Sequence, residues 1–509
     1  MKKTMSVIMS VLLALTIIVP GTTVAFAEGE YDTEGAYILE FSDDEIKTTQ
    51  KGDGKVEIDG TALSIKKEGT YIVSGSCKDG SIVVKKATTG VILVLNGLTL
   101  ESETTAPITC NKSSAATIIA ASTTVNTLTD NAINNDDEYP DNENAENAVL
   151  KCKDGSNVVL DGAGTLNINS NGKNGIKSGC TTEDEGEASF TIRNLTLNIT
   201  AKVNDGINAE QLLTIESGNI TVDAADDGIH CDLVMNIGTA GNNTTPVIKV
   251  TNSYEGIEAA SLNVLGGDIN IHATDDGMNA ANSDLTGYDF ELNIKGGKIY
   301  VDSENGDGID SNGTLTISGG NVIVFSSAMG DNAPLDSDGK LSITGGTVFA
   351  VGSSRMAQTP QNSQSFVEFG STGSGMMGGM DKPGSQPGGK QGNNTVKKPE
   401  GQGGMNPFGG GSLVGESSSL SIKAGDTITI KNSDGETLVE AVAPRDAGYV
   451  LYSAEGVTED NIALYINGTA TNASTNSSSG ISGFFSNIVS KIKSFFERII
   501  EFFKNLLSK

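Results

Sequence analysis

Two segments, Leu262-Asn-Val-Leu-Gly-Gly-Asp-Ile-Asn-Ile271 and Leu292-Asn-Ile-Lys-Gly-Gly-Lys-Ile-Tyr-Val301, repeat one pattern that decides the fold. Each alternates apolar and polar residues on both sides of a glycine-containing turn. This is typical of two short strands with one buried face, joined by a corner that needs a flexible backbone. The pattern recurs over residues 213–222, 315–324 and 341–350. Such repetition indicates a solenoid in which each repeat packs on the next.

A second signature lies between the strand pairs, where an acidic or amide residue is followed by glycine and an apolar residue. It occurs at Asn174-Gly175-Ile176, Asp205-Gly206-Ile207, Asp227-Gly228-Ile229, Glu255-Gly256-Ile257, Asp276-Gly277-Met278 and Asp307-Gly308-Ile309. The glycines are 31, 22, 28, 21 and 31 residues apart. The short spacings fit one coil of three strands, and the longer ones fit the same coil with an inserted loop. Weaker copies at Pro107-Ile108, Ala148-Val149 and Pro334-Leu335 extend the solenoid toward both ends.

Two residues beyond the repeated apolar position, nearly all side chains are small. The residues are Cys110, Lys151, Ser178, Ala209, Cys231, Ala259, Ala280, Ser311 and Ser337. Small side chains are expected where residues stack inside a narrow coil, which favours a structural role for Cys110 and Cys231 over a catalytic one. A propeller would repeat at about 40 residues or more, and a sandwich lacks the same turn in every unit. The sequence therefore predicts an all-β protein, a right-handed parallel β-helix.

The N-terminus has the features of a secretory signal peptide. Lys2 and Lys3 precede an apolar run over residues 11–19, and Ala25-Phe26-Ala27 offers a small-residue cleavage site. A membrane anchor is the alternative, but the run is short for a span of roughly 20 residues. We expect removal of residues 1–27 and a protein that is secreted or held at the cell surface.

The remaining segments differ in composition. Residues 40–370 carry the solenoid, whereas residues 371–412 are rich in Gly, Met, Pro, Gln and Asn and predict a flexible loop. Alternating strands return over residues 413–468, as a C-terminal β cap or a small β domain, before a linker over residues 469–480. Residues 481–509 predict a terminal amphipathic helix of net charge +3. This helix would contact a membrane or envelope, dock on the protein itself or pair as a coiled coil.

Charge and aromatic content restrict the partners. The chain has 64 acidic against 34 basic residues and a net charge of −30, which excludes nucleic-acid binding because phosphates would be repelled. The absence of Trp argues against a flat aromatic platform for crystalline cellulose. Tyr254, Tyr288 and Tyr300 are candidates for stacking on sugars.

The acidic turns predict a metal site. The turns contribute Asp205, Asp227, Glu255, Asp276 and Asp307. Coils in register would place these acids about 4.8 Å apart, where each adjacent pair of like charges costs roughly 3–4 kcal/mol at an effective dielectric constant near 20. Such a column must splay into water, take up protons or bind cations. Further acids flank it, namely Asp226, Glu258, Asp275, Asp310 and Asp336.

Calcium suits this set, because it accepts several carboxylates together with carbonyl and water oxygens without strict geometry. The alternative is that Asp-Gly and Asn-Gly simply form good turns. Turn formation explains the acid before each glycine, but not the preceding Asp226 and Asp275 or the acids after the apolar residue.

The turns and strand pairs over roughly residues 40–350 resemble the bacterial carbohydrate-binding β-helix family related to pectate and polysaccharide lyases. The resemblance implies a right-handed β-helix, bound Ca²⁺ and affinity for plant cell-wall polysaccharide such as polygalacturonate or cellulose. A protein of charge −30 would repel a polyuronate, so we expect Ca²⁺ to bridge protein and sugar carboxylates. The leading hypothesis is a non-catalytic polysaccharide-binding protein.

Two alternatives remain open at the level of sequence. The first is a calcium-dependent pectate lyase acting by β-elimination, which needs a base beside the metal. Lys177 and Lys202 are the best-placed lysines, although the interpretation of each as a solvated surface residue is favoured. His230 and His272 are isolated in the sequence and are interpreted as structural. The second alternative is a structural surface adhesin.

Overall fold

A computed structural model of the chain describes residues 17–19, 22–24, 31, 33–50, 53–179, 188–328, 332–370, 420–471 and 475–478. Within these ranges the regular elements are β-strands, and no helix long and apolar enough to cross a membrane is found among them. In the predicted leader, Ile17–Val19 and Thr22–Val24 form an antiparallel pair. The predicted loop over 371–412 and the predicted helix over 481–509 lie outside the described residues.

Three parallel sheets form the body of the molecule, and the chain visits them in the order A, B, C. Sheet A contains Ala62–Ile65, Ser81–Val84, Ile108–Cys110, Ala148–Cys152, Asn174–Ser178, Ile207–Ala209, the starts of Ile229–Ile237 and Ile257–Val264, Met278–Ala280 and Ile309–Ser311. Sheet B contains Tyr37–Phe41, the starts of Gly69–Cys77 and Val91–Ser102, Ala115–Ala120, Asn157–Asp161, Ser189–Ile192, Leu212–Ile215, the ends of Ile229–Ile237 and Ile257–Val264, Glu291–Ile294 and the starts of Thr314–Phe325 and Leu341–Gly352. Sheet C contains the ends of Gly69–Cys77 and Val91–Ser102, Val125–Asp130, Thr165–Ser170, Thr196–Ala201, Asn219–Ala224, Val247–Asn252, Asp268–Ala273, Lys298–Ser303 and the ends of Thr314–Phe325 and Leu341–Gly352.

One strand from each sheet makes one coil, and each coil pairs with the next in all three sheets. The predicted parallel β-helix is therefore confirmed, while its right hand stays a prediction from the general rule for parallel crossovers. Alternation explains the burial: in Thr165–Ser170, Leu166 and Ile168 are fully buried and the intervening residues are only half-buried. Stacked apolar residues form one core along the solenoid, and fully burying one Leu or Ile side chain contributes roughly 1.5–3 kcal/mol.

The row of small interior residues runs through Cys152, which pairs in register with its neighbours on both sides. The repeated apolar position of this coil is thus Leu150 rather than Val149, and the prediction that placed Lys151 in the interior row is wrong by one residue. The cause is a continuous apolar run, which gives no alternation from which to read the phase. Lys151 is instead the register partner of Lys177 on the outer side of sheet A.

Antiparallel strands close both ends of the solenoid. At the N-terminal end, Ile46–Thr48 pairs with Tyr37–Phe41, and Val56–Asp59 pairs with Ala62–Ile65. At the C-terminal end, the last strand of sheet C is followed by Tyr449–Ser453, Phe366–Phe369 and Thr475–Ser478. A separate antiparallel sheet is formed by Thr437–Val442, Thr427–Asn432, Ile462–Ile466 and Thr469–Ala470. These strands cover edges that would otherwise expose unpaired backbone groups.

Candidate metal and carbohydrate site

The acidic residues of successive turns stack in register at the corner between sheets C and A. The backbone N–H groups of Gly206, Gly228, Gly256 and Gly277 each donate to the carbonyl of the acid one coil further on, at 2.9–3.0 Å. We call Asp205, Asp227, Glu255, Asp276 and Asp307 the acidic column. The acidic turns are therefore in register, as the prediction of a metal site requires.

Glycine at these turns allows the coils to approach closely. A Cβ atom on Gly277 would lie 2.1 Å from Val301 Cγ1 and 2.6 Å from the carbonyl oxygen of Gly308. Either contact is far shorter than van der Waals separation, so a larger residue would push the coils apart. The requirement is thus the close backbone approach, not a left-handed backbone conformation.

Several column carboxylates turn back onto the backbone of the next coil. Asp205 Oδ1 accepts a hydrogen bond from the N–H of Asp227 at 3.2 Å, and Asp276 Oδ1 accepts one from the N–H of Asp307 at 2.7 Å. Asp307 Oδ1 accepts one from the N–H of Ala333 in the same way. Turn formation therefore accounts for one oxygen of each carboxylate.

Burial and mutual repulsion disfavour the charged form of the column. Burial, reinforced by Asp227, raises the pKa of Asp205 to about 7. Burial raises the pKa of Asp276 to about 7 and that of Asp307 to about 8, and Asp310 adds repulsion to both. These carboxylates are stabilised by a proton or by a bound cation.

Three groups of side chains in the described part of the chain are close enough to share a cation. Their ligand atoms lie within 4.8 Å of one another. The groups are Asp205 with Asp226 and Asp227, Asp227 with His230 and Glu258, and Asp276 with Asp307 and Asp310. Column acids and the predicted flanking acids Asp226, Glu258 and Asp310 thus come together, as the sequence indicates, and the acidic clusters can hold a metal ion.

The remaining predicted ligands lie beside these groups. Burial and then Glu258 raise the pKa of Glu255 to about 10, and Asn279 Nδ2 donates to Glu255 Oε2 at 3.2 Å. Asp275 is hydrogen-bonded to the Tyr254 hydroxyl. Asp336 Oδ1 accepts the N–H of Ser337 at 2.9 Å. The structure does not bring Glu255, Asp275 or Asp336 into the three groups.

His230 is the residue that the sequence reasoning missed. Far from being isolated, its Nδ1 lies 3.2 Å from Asp227 Oδ2 and 3.0 Å from Glu258 Oε2, and its Nε2 lies 2.9 Å from Asp232 Oδ1. Burial lowers the pKa of His230, but these three carboxylates outweigh burial and raise it well above its usual value. These carboxylates thus favour the protonated imidazole, whose single positive charge offsets part of the negative charge in the middle of the column. Its place directly after Ile229, equivalent to Lys177 after Ile176, was the available signal.

The other histidine also contacts acids. His272 lies on sheet C, with its Nδ1 3.3 Å from Asp302 Oδ2. It belongs to none of the three groups.

The two lysines considered as lyase bases lie away from the group formed by Asp276, Asp307 and Asp310. Lys177 Nζ donates to Asn208 Oδ1 at 3.0 Å and lies 3.0 Å from Glu210 Oε1. Lys202 is exposed and donates to Asn171 Oδ1 at 2.7 Å. The strand of Lys177 is separated by four sheet steps, about 19 Å, from the strand that follows Asp276.

Among the three candidate tyrosines, Tyr254 alone is largely exposed. The residue is 48% exposed, and its hydroxyl group is hydrogen-bonded to Asp275 beside the column. Tyr288 packs against Phe290 at a ring-centroid distance of 5.5 Å, and Tyr300 packs against Phe325 at 5.9 Å. Tyr254 is therefore the one of the three whose ring is available to a sugar beside the acidic residues.

Comparisons with known proteins give a partial assignment. No curated protein shows significant similarity to the chain. One similar solved structure is that of a polysaccharide lyase-like protein from C. thermocellum, as a gadolinium derivative, with 23% identity and a TM-score of 0.34 over 60% of this chain and 95% of that chain. Residues 59–236, which include the column as far as Asp227, match a family described as carbohydrate-binding domain-containing protein, and this match supports carbohydrate binding.

Proposed function

We propose that the chain is an exported carbohydrate-binding protein that holds Ca²⁺ in its acidic column and recognises an acidic cell-wall polysaccharide through it. The observation that carries the proposal is the pair Asp276 and Asp307. The two carboxylates lie on adjacent coils together with Asp310. Neither Asp276 nor Asp307 forms an ion pair with a Lys, Arg or His among the described residues.

The donor set fits a hard divalent cation. Asp276, Asp307 and Asp310 offer carboxylate oxygens only, which Ca²⁺ prefers over nitrogen or sulfur ligands. The group around Asp227 is a poorer site, because His230 already supplies positive charge there. We therefore assign the Ca²⁺ to the C-terminal part of the column, where it would stabilise the ionised carboxylates.

The same ion would link the protein to its ligand. Asp276, Asp307 and Asp310 are only partly buried, so a sugar oxygen has access to their oxygens. A sugar carboxylate provides the hard oxygen that Ca²⁺ binds, and it would otherwise be repelled by a chain of charge −30. Tyr254 adds an exposed ring beside the column for stacking on the sugar.

Affinity electrophoresis of the full chain tests this function. We expect polygalacturonate to retard the protein in Ca²⁺ and to lose that effect in excess chelator, while cellulose binds weakly in both conditions. Equal retardation with and without Ca²⁺ would remove the ion from the recognition mechanism. Failure to bind any polysaccharide in Ca²⁺ would instead favour a surface adhesin with a different partner.

Catalysis is tested separately by the absorbance of unsaturated uronate. We expect no product from polygalacturonate in Ca²⁺, because Lys177 and Lys202 lie away from the assigned ion. Turnover that disappears in Lys177→Met or Lys202→Met would establish the lyase alternative.

Export and envelope contact rest on the terminal segments. We propose cleavage after Ala27, and attachment through residues 481–509. A chain truncated after residue 480 should appear in the culture medium, whereas the full chain stays with cells or liposomes. Equal release of both chains would contradict attachment.

A further inference from the structure

The outer side of sheet A carries a row of polar residues whose charge changes along the solenoid. Each residue directly follows the buried apolar position of its strand, and the strand pairings place them in one line. The row is Lys151, Lys177, Asn208, His230, Glu258, Asn279 and Asp310. Lysines thus occupy one end of the row, and Asp310, one of the acids assigned to Ca²⁺, occupies the other.

The two lysines at the cationic end differ in how they are satisfied. Lys177 Nζ has both Asn208 and Glu210 as partners at 3.0 Å. Among the described residues, Lys151 Nζ forms no hydrogen bond and no ion pair. Its ammonium group is not fully enclosed by the protein.

The surroundings of Lys151 nevertheless disfavour a positive charge. Its stem is partly buried between coils, and Lys177 is its direct register partner about one strand spacing away. Burial, and then the charge of Lys177, lower the pKa of Lys151, and the nearby carboxylates of Glu210 and Glu146 offset this only in part. A partly buried ammonium group that has no hydrogen bond or ion pair of its own gains from a bound anion.

We propose that Lys151 and Lys177 form a carboxylate-binding subsite for an acidic sugar of the polysaccharide. The inference rests on the proposed function and names a second contact point on sheet A, with Lys177 five strand steps and Lys151 six strand steps from the assigned Ca²⁺ at Asp310. A chain lying along the row would place one uronate carboxylate on Lys151 and another on the ion. A compact ammonium group recognises a carboxylate as a point charge, which makes the subsite specific for anionic rather than neutral sugars.

Isothermal titration of the full chain in saturating Ca²⁺ tests the subsite, with polygalacturonate and its methyl ester as ligands. Lys151→Met keeps the length of the side chain and removes the charge, and Lys151→Arg restores the charge. Lys249→Met is the matched control, because Lys249 is an exposed lysine on sheet C. We expect Lys151→Met to weaken binding of the acid about tenfold or more, with Lys151→Arg near the wild type and Lys249→Met unchanged.

The outcomes separate the two proposals. Unchanged binding of the acid by Lys151→Met, or an equal loss for acid and ester, overturns the subsite while leaving calcium-dependent binding intact. Absence of any binding of polygalacturonate by the wild-type chain in Ca²⁺ overturns the proposed function and the subsite together. Unfolding temperatures of the variants within about 2 °C of the wild type exclude a folding defect as the cause.

Discussion

Asp276 and Asp307 each accept a backbone hydrogen bond from the next coil through Oδ1. Their negative charges also repel each other. The hydrogen bonds of their Oδ1 atoms to the next coil would be kept by asparagine, which has the same shape and an acceptor in the same place. The negative charge is therefore not needed for the turn. Along the same column His230 lies 3.2 Å from Asp227, and no such ion-pair partner accompanies Asp307 in the described part of the chain.

Replacing Asp307 with Asn should have opposite effects with and without calcium. In excess chelator at pH 8, Asp307→Asn should unfold at the same temperature as the wild type or higher, because repulsion with Asp276 is removed. In millimolar Ca²⁺ it should gain less stability than the wild type, because binding to the native state contributes RT ln(1 + [L]/Kd). Differential scanning calorimetry measures both. Asp284→Asn, at an exposed acid in a loop, is the control and should respond to Ca²⁺ as the wild type does. Equal Ca²⁺ responses of the wild type and Asp307→Asn would argue against the assigned site.

At the level of the element, the corner between sheets C and A stacks both the backbone turns and the acidic side chains of successive coils. The glycine after each acid lets the coils approach, and the approach in turn sets the spacing of the carboxylates. Packing and site chemistry therefore depend on the same residues. A change at the glycine should act on both.

Gly277→Ala should destabilise the protein, because the added Cβ would meet Val301 and the carbonyl of Gly308. Overpacking of this kind costs about 1–3 kcal/mol. Urea unfolding monitored by far-ultraviolet circular dichroism gives the value. Gly448→Ala is the matched control, since its Cβ would meet only the carbonyl oxygen of Leu420 at 3.5 Å. Similar losses in the two variants would mean that close coil approach is not what the turn glycine provides.

For the whole molecule, protonation of the acidic column makes the free energy of unfolding depend on pH. The unfolded pKa of an Asp is about 3.9, whereas Asp205, Asp276 and Asp307 have pKa values of about 7, 7 and 8 in the metal-free fold. The native state therefore binds more protons than the unfolded state between pH 4 and pH 8. Stability present below pH 4 is lost as pH rises through this window.

The unfolding temperature of chelated protein should consequently fall between pH 5 and pH 9, and Ca²⁺ should restore most of it at pH 8. Thermal scans across this range test the expectation. The net charge of −30 favours a fall in the same direction, so the control is the double variant Asp276→Asn/Asp307→Asn. A slope as steep in the double variant as in the wild type would assign the effect to net charge instead of the column.

Local patterns in the sequence already determine the repeat, the turn and the register of the column. Alternation with a period of two fixes which side of a strand is buried, and the same acid–glycine–apolar turn in each coil fixes where one coil meets the next. Asp205, Asp227 and Asp276 could therefore be placed in one line before any coordinates. Alternation is lost in the apolar run before Lys151, and the position that the sequence predicts for Lys151 is therefore wrong by one residue.

Only the tertiary structure decided which side chains share a site. Whether an acid next to the column joins it depends on the direction in which its side chain leaves the turn, which is why Asp310 lies with Asp276 and Asp307 while Asp275 bonds to Tyr254. His230 meets Glu258, and Lys151 has Lys177 as its register partner, on neighbouring coils that are distant in sequence. The sequence repeat specifies which residues of successive coils lie in register. Burial and cross-coil contacts specify the charge that each residue there can hold.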